Sequence, residues 1–189
     1  MASSDVCAGT LLVSSPELVE PTFRRTVIYM IEHNESGSLG IVINRPSDTA
    51  VQNVLPDWAA HTVKPKALFV GGPVKRDAAL CLGVLRPGVD PDSDPGLRQV
   101  EGRVVMVDLD AAPEDLLPML GGMRIFVGYA GWSAGQLDAE LARADWMVLS
   151  SLPTDVVMPG RVDVWGRVLR RQPMPLALLA TQPGDVARN

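Results

Sequence analysis

Cysteine and histidine are both scarce in this 189-residue chain, with two of each. Cys7 and Cys81 lie too far apart in sequence for a disulfide framework and form no CxxC pair. His33 and His61 lack the i, i+4 spacing that focuses imidazoles on one metal ion, and Glu32-His33 opens like a zincin helix without supplying its second histidine. The expectation is therefore no metal and no cofactor. Long apolar runs are also missing. Residues 26–31 and 174–180 are the longest near-apolar stretches, far below the roughly 20 residues that span a bilayer. Residues 1–9 carry Asp5, no cation and no apolar core, so neither a secretory leader nor a mitochondrial presequence is expected. A cytoplasmic protein with no membrane partner is the expectation. Lysine occurs only at Lys64, Lys66 and Lys75, and 17 cations against 22 acids leave a net charge of −5 with a pI near 5.0. A chain of that sign has no global electrostatic pull toward nucleic acid.

What is present fits one domain over residues 1–189. At 20.3 kDa and 47% hydrophobic residues, the chain can bury roughly 70% of its unfolded surface. Seventeen Gly and 16 Pro promise many turns between short elements. Short β-branched runs bounded by Gly, Pro, Asn or Asp predict strands at 10–14, 26–32, 39–44, 67–70, 80–85, 103–107, 124–128 and 145–150. The second and third flank a turn-rich His33-Asn34-Glu35-Ser36-Gly37 and read as an antiparallel hairpin. Helices are expected to be short. Val51, Val54, Leu55 and Trp58 share one helical face over 50–58; Pro113 with Glu114 and Asp115 makes a helix first turn; Ser133 and Gln136 form a capping-box pattern over 135–143. Val162, Trp165, Val168 and Leu169 mark a fourth, surrounded by Arg161, Arg167, Arg170 and Arg171. Residues 1–8 are expected to be flexible, and the Asp- and Pro-rich 86–101 reads as a loop insertion.

Three patterns bear on chemistry. Gly131-Trp132-Ser133-Ala134-Gly135 is a G-x-S-x-G between a predicted strand and a predicted helix, the setting of a nucleophile elbow. Ser133 is thus the one nucleophile candidate, but a hydrolase of that fold places its histidine after the serine, and both histidines precede it. A triad from His33 or His61 with Asp108 would need another chain order, and helix capping is the plainer role for Ser133. Gly71-Gly72-Pro73-Val74-Lys75-Arg76 offers bare backbone beside two cations, without the spacing of a nucleotide loop; a tight strand-to-strand turn explains it better. Arg24-Arg25 and Arg170-Arg171 are basic pairs without interleaved aromatics, as expected of surface charge or salt bridges.

Taken in order, 9–13, Glu20-Pro21-Thr22-Phe23-Arg24-Arg25-Thr26-Val27, Glu32-His33-Asn34, Gly40-Ile41-Val42-Ile43-Asn44-Arg45-Pro46, Gly71-Gly72-Pro73-Val74 and Gly128-Tyr129-Ala130-Gly131-Trp132 with Gly135-Gln136-Leu137 closely resemble the YqgE/AlgH family. The resemblance implies an α+β fold, with a largely antiparallel, bifurcated sheet curled into a pseudo-barrel and flanked by short helices. It also implies a binding or regulatory role, since family members are often labelled transcriptional regulators, and it does not require serine between Trp132 and Gly135. No family cofactor or catalytic set carries over. Polar or aromatic residues on Gly- and Pro-rich turns suggest a surface that meets an unknown protein or small ligand. Asn44, Arg45, Gly71, Gly72, Pro73, Tyr129, Gly131, Trp132 and Gln136 are the candidates. The structural alternative gives the glycines special backbone angles, Arg45 a loop to tie down and Trp132 a place in the core.

Overall fold

Short β-branched runs interrupted by Gly and Pro can bury their apolar faces only by pairing side by side, and they do so in one ten-stranded sheet. The computed structural model describes residues 5–159 and 162–182, so the first half of the expected flexible stretch and Arg161 lie outside the described residues. Within the second half, Cys7 folds back onto Thr10, whose amide and hydroxyl both donate to the Cys7 carbonyl.

The strands are β1 (Thr10–Ser14), β2 (Val27–Asn34), β3 (Gly37–Val42), β4 (Pro46–Ala50) and β5 (Ala67–Val70) in the first half of the chain. The second half contributes β6 (Val74–Leu85), β7 (Leu97–Glu101), β8 (Val104–Val107), β9 (Leu120–Ser133) and β10 (Trp146–Ser150). The main order is β10-β1-β2-β3-β9-β6-β8-β7, with β4 and β5 branching off through β9. Every pair is antiparallel except β5–β9. The sheet curls into an α+β half-barrel, forked where β9 leaves β6 to pair with β3.

Among the described residues, five helices of seven residues or fewer flank it: α1 (Pro56–Ala59), α2 (Pro113–Leu116), α3 (Gln136–Ala142), α4 (Val164–Arg170) and α5 (Leu176–Leu179). None of the described helices is long and apolar enough to cross a membrane. Helix α4 packs Trp165 and Val168 among Leu11, Tyr29, Ile41 and Phe126, and α5 covers that cluster from outside with Leu176 and Leu179. Helices α1 and α2 bury Trp58 and Leu116 against β6, β8 and β9. Helix α3 places Leu137 beside Leu12, Ile28, Trp132 and Trp146. Each fully buried side chain of this kind stabilises the fold by roughly 1.5–3 kcal/mol.

Three local expectations change. The helix predicted over 50–58 is split: β4 runs to Ala50, a 3₁₀ turn follows at Val51–Asn53, and α1 starts at Pro56. Pro56 has no amide to continue a helix, and it holds Leu55 outside the helical region at φ −133°, ψ 68°. The loop predicted over 86–101 ends in β7, a strand whose Arg98, Gln99 and Glu101 are exposed and so broke the apolar pattern. Finally, Ser133 does not cap α3. It ends β9, and Gly135, at φ 74°, occupies the cap position.

Candidate functional site

The two glycine motifs meet at the fork of the sheet. Gly71 donates its amide to the Val127 carbonyl and accepts from the Val42 amide, both at 2.8 Å. A Cβ on Gly72 would stand 2.1 Å from the Tyr129 carbonyl, and one on Gly128 would stand 2.4 Å from the Gly72 carbonyl oxygen. Backbone therefore approaches backbone more closely than any side chain allows, which is why both positions are glycine. Pro73 turns the chain on the surface, and Tyr129 lies half-buried opposite Val74.

Asn44 and Arg45 belong to a clamp. The Asn44 side chain accepts from the Val27 amide at 3.1 Å and donates to the Arg25 carbonyl at 2.9 Å. Arg45 donates to the Arg24 carbonyl at 3.0 Å and the Thr26 hydroxyl at 2.8 Å, while burial lowers its pKa from the ordinary arginine value. These bonds bind the 20–27 motif to the 40–46 motif. The neighbouring basic pairs are also partly committed: Arg25 meets Asp163 and stacks 4.2 Å from the Trp165 ring, and Arg171 holds the buried Asp155 in a two-pronged pair.

The last motif residues gather at the far end of β9. Trp132 and Trp146 both donate their indole N–H to Glu140 Oε2, at 2.9 and 2.8 Å, and their rings meet edge-on at 6.4 Å. Gln136 donates to the other Glu140 oxygen at 3.1 Å and accepts from the Ser133 amide and hydroxyl at 3.1 and 3.3 Å. That is half of the expected capping box: the glutamine reaches back, but the serine hydroxyl meets no helix amide. Beside this cluster the β2–β3 turn opens a groove of about 240 Å³ lined by Glu32, Asn34, Ser36, Ser38, Leu39 and Trp132.

The hydrolase arrangement is not assembled around Ser133. Its hydroxyl partner is Gln136, whereas His33 Nδ1 lies 2.6 Å from Ser38 Oγ and His33 Nε2 lies 3.9 Å from Asp138 Oδ1. His61 is exposed on another face, and Asp108 accepts from the Asp110 amide. Among the described residues no three His, Cys, Asp or Glu side chains converge as a metal site.

The candidates thus fall into a fork and clamp, where Gly71 and Gly72 are buried, Asn44, Arg45 and Tyr129 half-buried and Pro73 exposed, and a partly open end, holding Gly131, Trp132, Ser133 and Gln136. A feature that sequence reasoning missed lies elsewhere: a shallow groove of about 790 Å³ between α1 and α2, lined by Asp57, His61, Pro113, Glu114, Leu117 and Pro118. The only sequence signals were two short helix starts about 57 residues apart, and nothing local announces that the Trp58 indole joins them by donating to the Leu109 carbonyl.

A forked α+β half-barrel whose motifs hold its backbone together defines the structural class. The chain belongs to the AlgH-like family, whose profile matches residues 11–177. It is 63% identical to a UPF0301 protein of Mycolicibacterium smegmatis over 188 residues, covering 100% of this chain and 94% of that one. A UPF0301 protein of Rhodococcus opacus is 68% identical over 181 residues, covering 96% and 90%. Two solved structures share the fold. A crystal structure of a Corynebacterium diphtheriae protein has a TM-score of 0.93 at 43% identity over 96% of this chain and 95% of that one. The solution structure of AlgH from Pseudomonas aeruginosa has a TM-score of 0.66 at 28% identity, covering 98% of each chain.

Proposed function

We propose that this protein acts by binding, with the groove at the β2–β3 turn as its contact site, and that any regulatory effect runs through a cytoplasmic protein partner rather than through DNA. The observation that carries the reading is the groove itself, in which the edge of Trp132 stands beside the exposed hairpin tip, where Glu32, Asn34 and Ser36 present polar groups to solvent, with exposed Ser133 paired to Gly37 at its border. Such a combination of a rigid aromatic wall and polar loop atoms suits recognition. At about 240 Å³ the groove is small beside ordinary ligand pockets, so it fits one anchoring side chain of a partner better than a cofactor. The net charge of −5 argues against direct contact with a phosphate backbone.

Photocrosslinking amino acids placed at Ser36 and Ser133 test this in living bacteria, with Gly88, exposed on a distant turn, as the control. Discrete crosslinked species from the first two positions and none from the third are expected. Identical patterns from all three positions would remove the groove from consideration.

A further inference from the structure

The outer strands of a sheet expose unpaired amides and carbonyls, and natural proteins protect them with charge, proline, bulges or short length. Strand β7 carries Arg98 and Glu101 and a register break between Gln99 and Glu101. Strand β4 opens on Pro46, carries Asp48, and pairs irregularly with β5. Strand β10 is as short as these two but has no charge, proline or bulge of its own. Its sequence, Trp-Met-Val-Leu-Ser, contains no charge, proline or glycine, and it follows β1 through five unbroken rungs from Ser14↔Trp146 to Thr10↔Ser150.

The hydrogen-bond phase of that edge can be read directly. The Ser15 amide donates to the Asp145 carbonyl, so residue 145 faces β1, and antiparallel alternation turns Met147 and Leu149 the same way. The Ser14 amide donates to the Thr26 carbonyl on the opposite side, as the same phase demands. Trp146, Val148 and Ser150 therefore direct their amides and carbonyls away from the sheet. The Ser150 carbonyl receives Arg171 Nη2 at 3.1 Å, which confirms the outward phase and leaves its second lone pair open. Within the described residues, the backbone groups of Trp146 and Val148 on that side have no hydrogen-bond partner.

We propose that β10 pairs antiparallel with β10 of a second copy of this chain, about a two-fold axis at Val148, joining two half-barrels into one continuous sheet. The strand is self-complementary in the way that symmetry requires. An outward-facing residue stands at the centre of an odd number of positions, so Val148 exchanges both bonds with its counterpart, and Trp146 exchanges both with Ser150 of the second copy. No like charges are brought opposite each other within the strand. Leu152, 50% exposed just past the strand end, extends the apolar part of the contact. One strand and its flanks make a small interface, so the dimer is weak and forms at roughly tens of micromolar.

Sedimentation of the intact chain from about 1 to about 500 µM, which brackets that affinity, should show a monomer–dimer equilibrium. Val148→Lys sets like charges directly across the axis and should weaken it more than tenfold. Because Val148 also packs in the core beside α3, Val148→Cys in a Cys7→Ser background supplies a second measurement. The paired Cα separation of a hydrogen-bonded rung, about 5.5 Å, suits a disulfide, so oxidation should give covalent dimer, while cysteine at Ser47 on the β4 edge should give none. A chain that stays monomeric throughout, a folded Val148→Lys protein that dimerises undiminished, or no preferential crosslink at 148 would each overturn the proposal.

Discussion

Arg124 offers the sharpest test of how the half-barrel is held together. It lies in the middle of β9, 1% exposed, and none of the described carboxylates forms an ion pair with it. Its guanidinium donates to the carbonyls of Met158 and Lys64, at 2.5 and 2.9 Å, and stacks 4.1 Å from the Phe69 ring. Nε has no partner. One side chain thus ties the sheet to the segment before β5 and to the segment before α4. Burial depresses its pKa from the ordinary arginine value to about 10, which corresponds to roughly 3 kcal/mol of lost solvation for the charged form.

Arg124→Met recovers most of that penalty. Against it stand two hydrogen bonds from a charged donor, worth about 1.5–3 kcal/mol each when their acceptors remain buried, and a cation–π contact worth about 1–2 kcal/mol. The expected net result is a loss of about 2–4 kcal/mol, read as a lower urea midpoint at neutral pH with an unchanged slope. The pH dependence has a definite sign. Below about pH 10 both folded and unfolded wild-type chains keep the proton and the penalty is constant; above it the folded chain gives up the proton before the unfolded chain does, so the wild type gains stability relative to Arg124→Met as pH rises. A variant as stable as the wild type at neutral pH would refute the view that the two carbonyl bonds outweigh the buried charge.

Two further substitutions probe the fork and the core. Gly72→Ala should cost more than about 3 kcal/mol or abolish folding, because the new methyl meets the Tyr129 carbonyl at 2.1 Å, whereas Gly88→Ala, at φ 83° with nothing within 4 Å, should cost only about 1 kcal/mol; urea midpoints of the two measure the contrast. Tyr29→Phe should raise stability by about 1 kcal/mol, since the Tyr29 hydroxyl is buried without a partner, and a thermal shift in the other direction would mean that the hydroxyl is satisfied.

The interior strands were legible because burial writes itself into sequence. Leu11, Leu12 and Val13 in β1, and Leu68 and Phe69 in β5, form apolar runs that end at polar or glycine residues, and their predicted bounds match the observed ones. Edge strands obey a different demand. Pro46, Ser47 and Asp48 in β4, and Arg98, Gln99 and Glu101 in β7, protect open edges and thereby hide them from a search for apolar alternation. The long strands were read only in part. Strand β6 begins at Val74 and bends through Lys75, at φ 46°, while β9 continues past Gly128 to Ser133, so neither keeps one face to one core along its length. At the candidate site, the residue types were legible and the partners were not. Nothing local says that Glu140 will take both indoles, or that Asn44 will reach Val27 and Arg25.

Those partners decide what the family motifs mean. Gly71, Gly72 and Gly128 are where strands cross backbone to backbone, Asn44 and Arg45 fasten the 20–27 segment, and Trp132 shares Glu140 with Trp146. A match built on these residues is therefore a match of architecture, which fits a shared fold with AlgH of Pseudomonas aeruginosa at 28% identity. Function on such a scaffold resides in sites that the scaffold leaves free. Loss of a phenotype on substituting Gly72 would report unfolding, and on substituting Trp132 it would mix unfolding with loss of the groove wall. Ser36 lines the hairpin groove from its exposed tip, whereas the Ser38 hydroxyl is committed to His33, so substitution at Ser36 separates binding from folding.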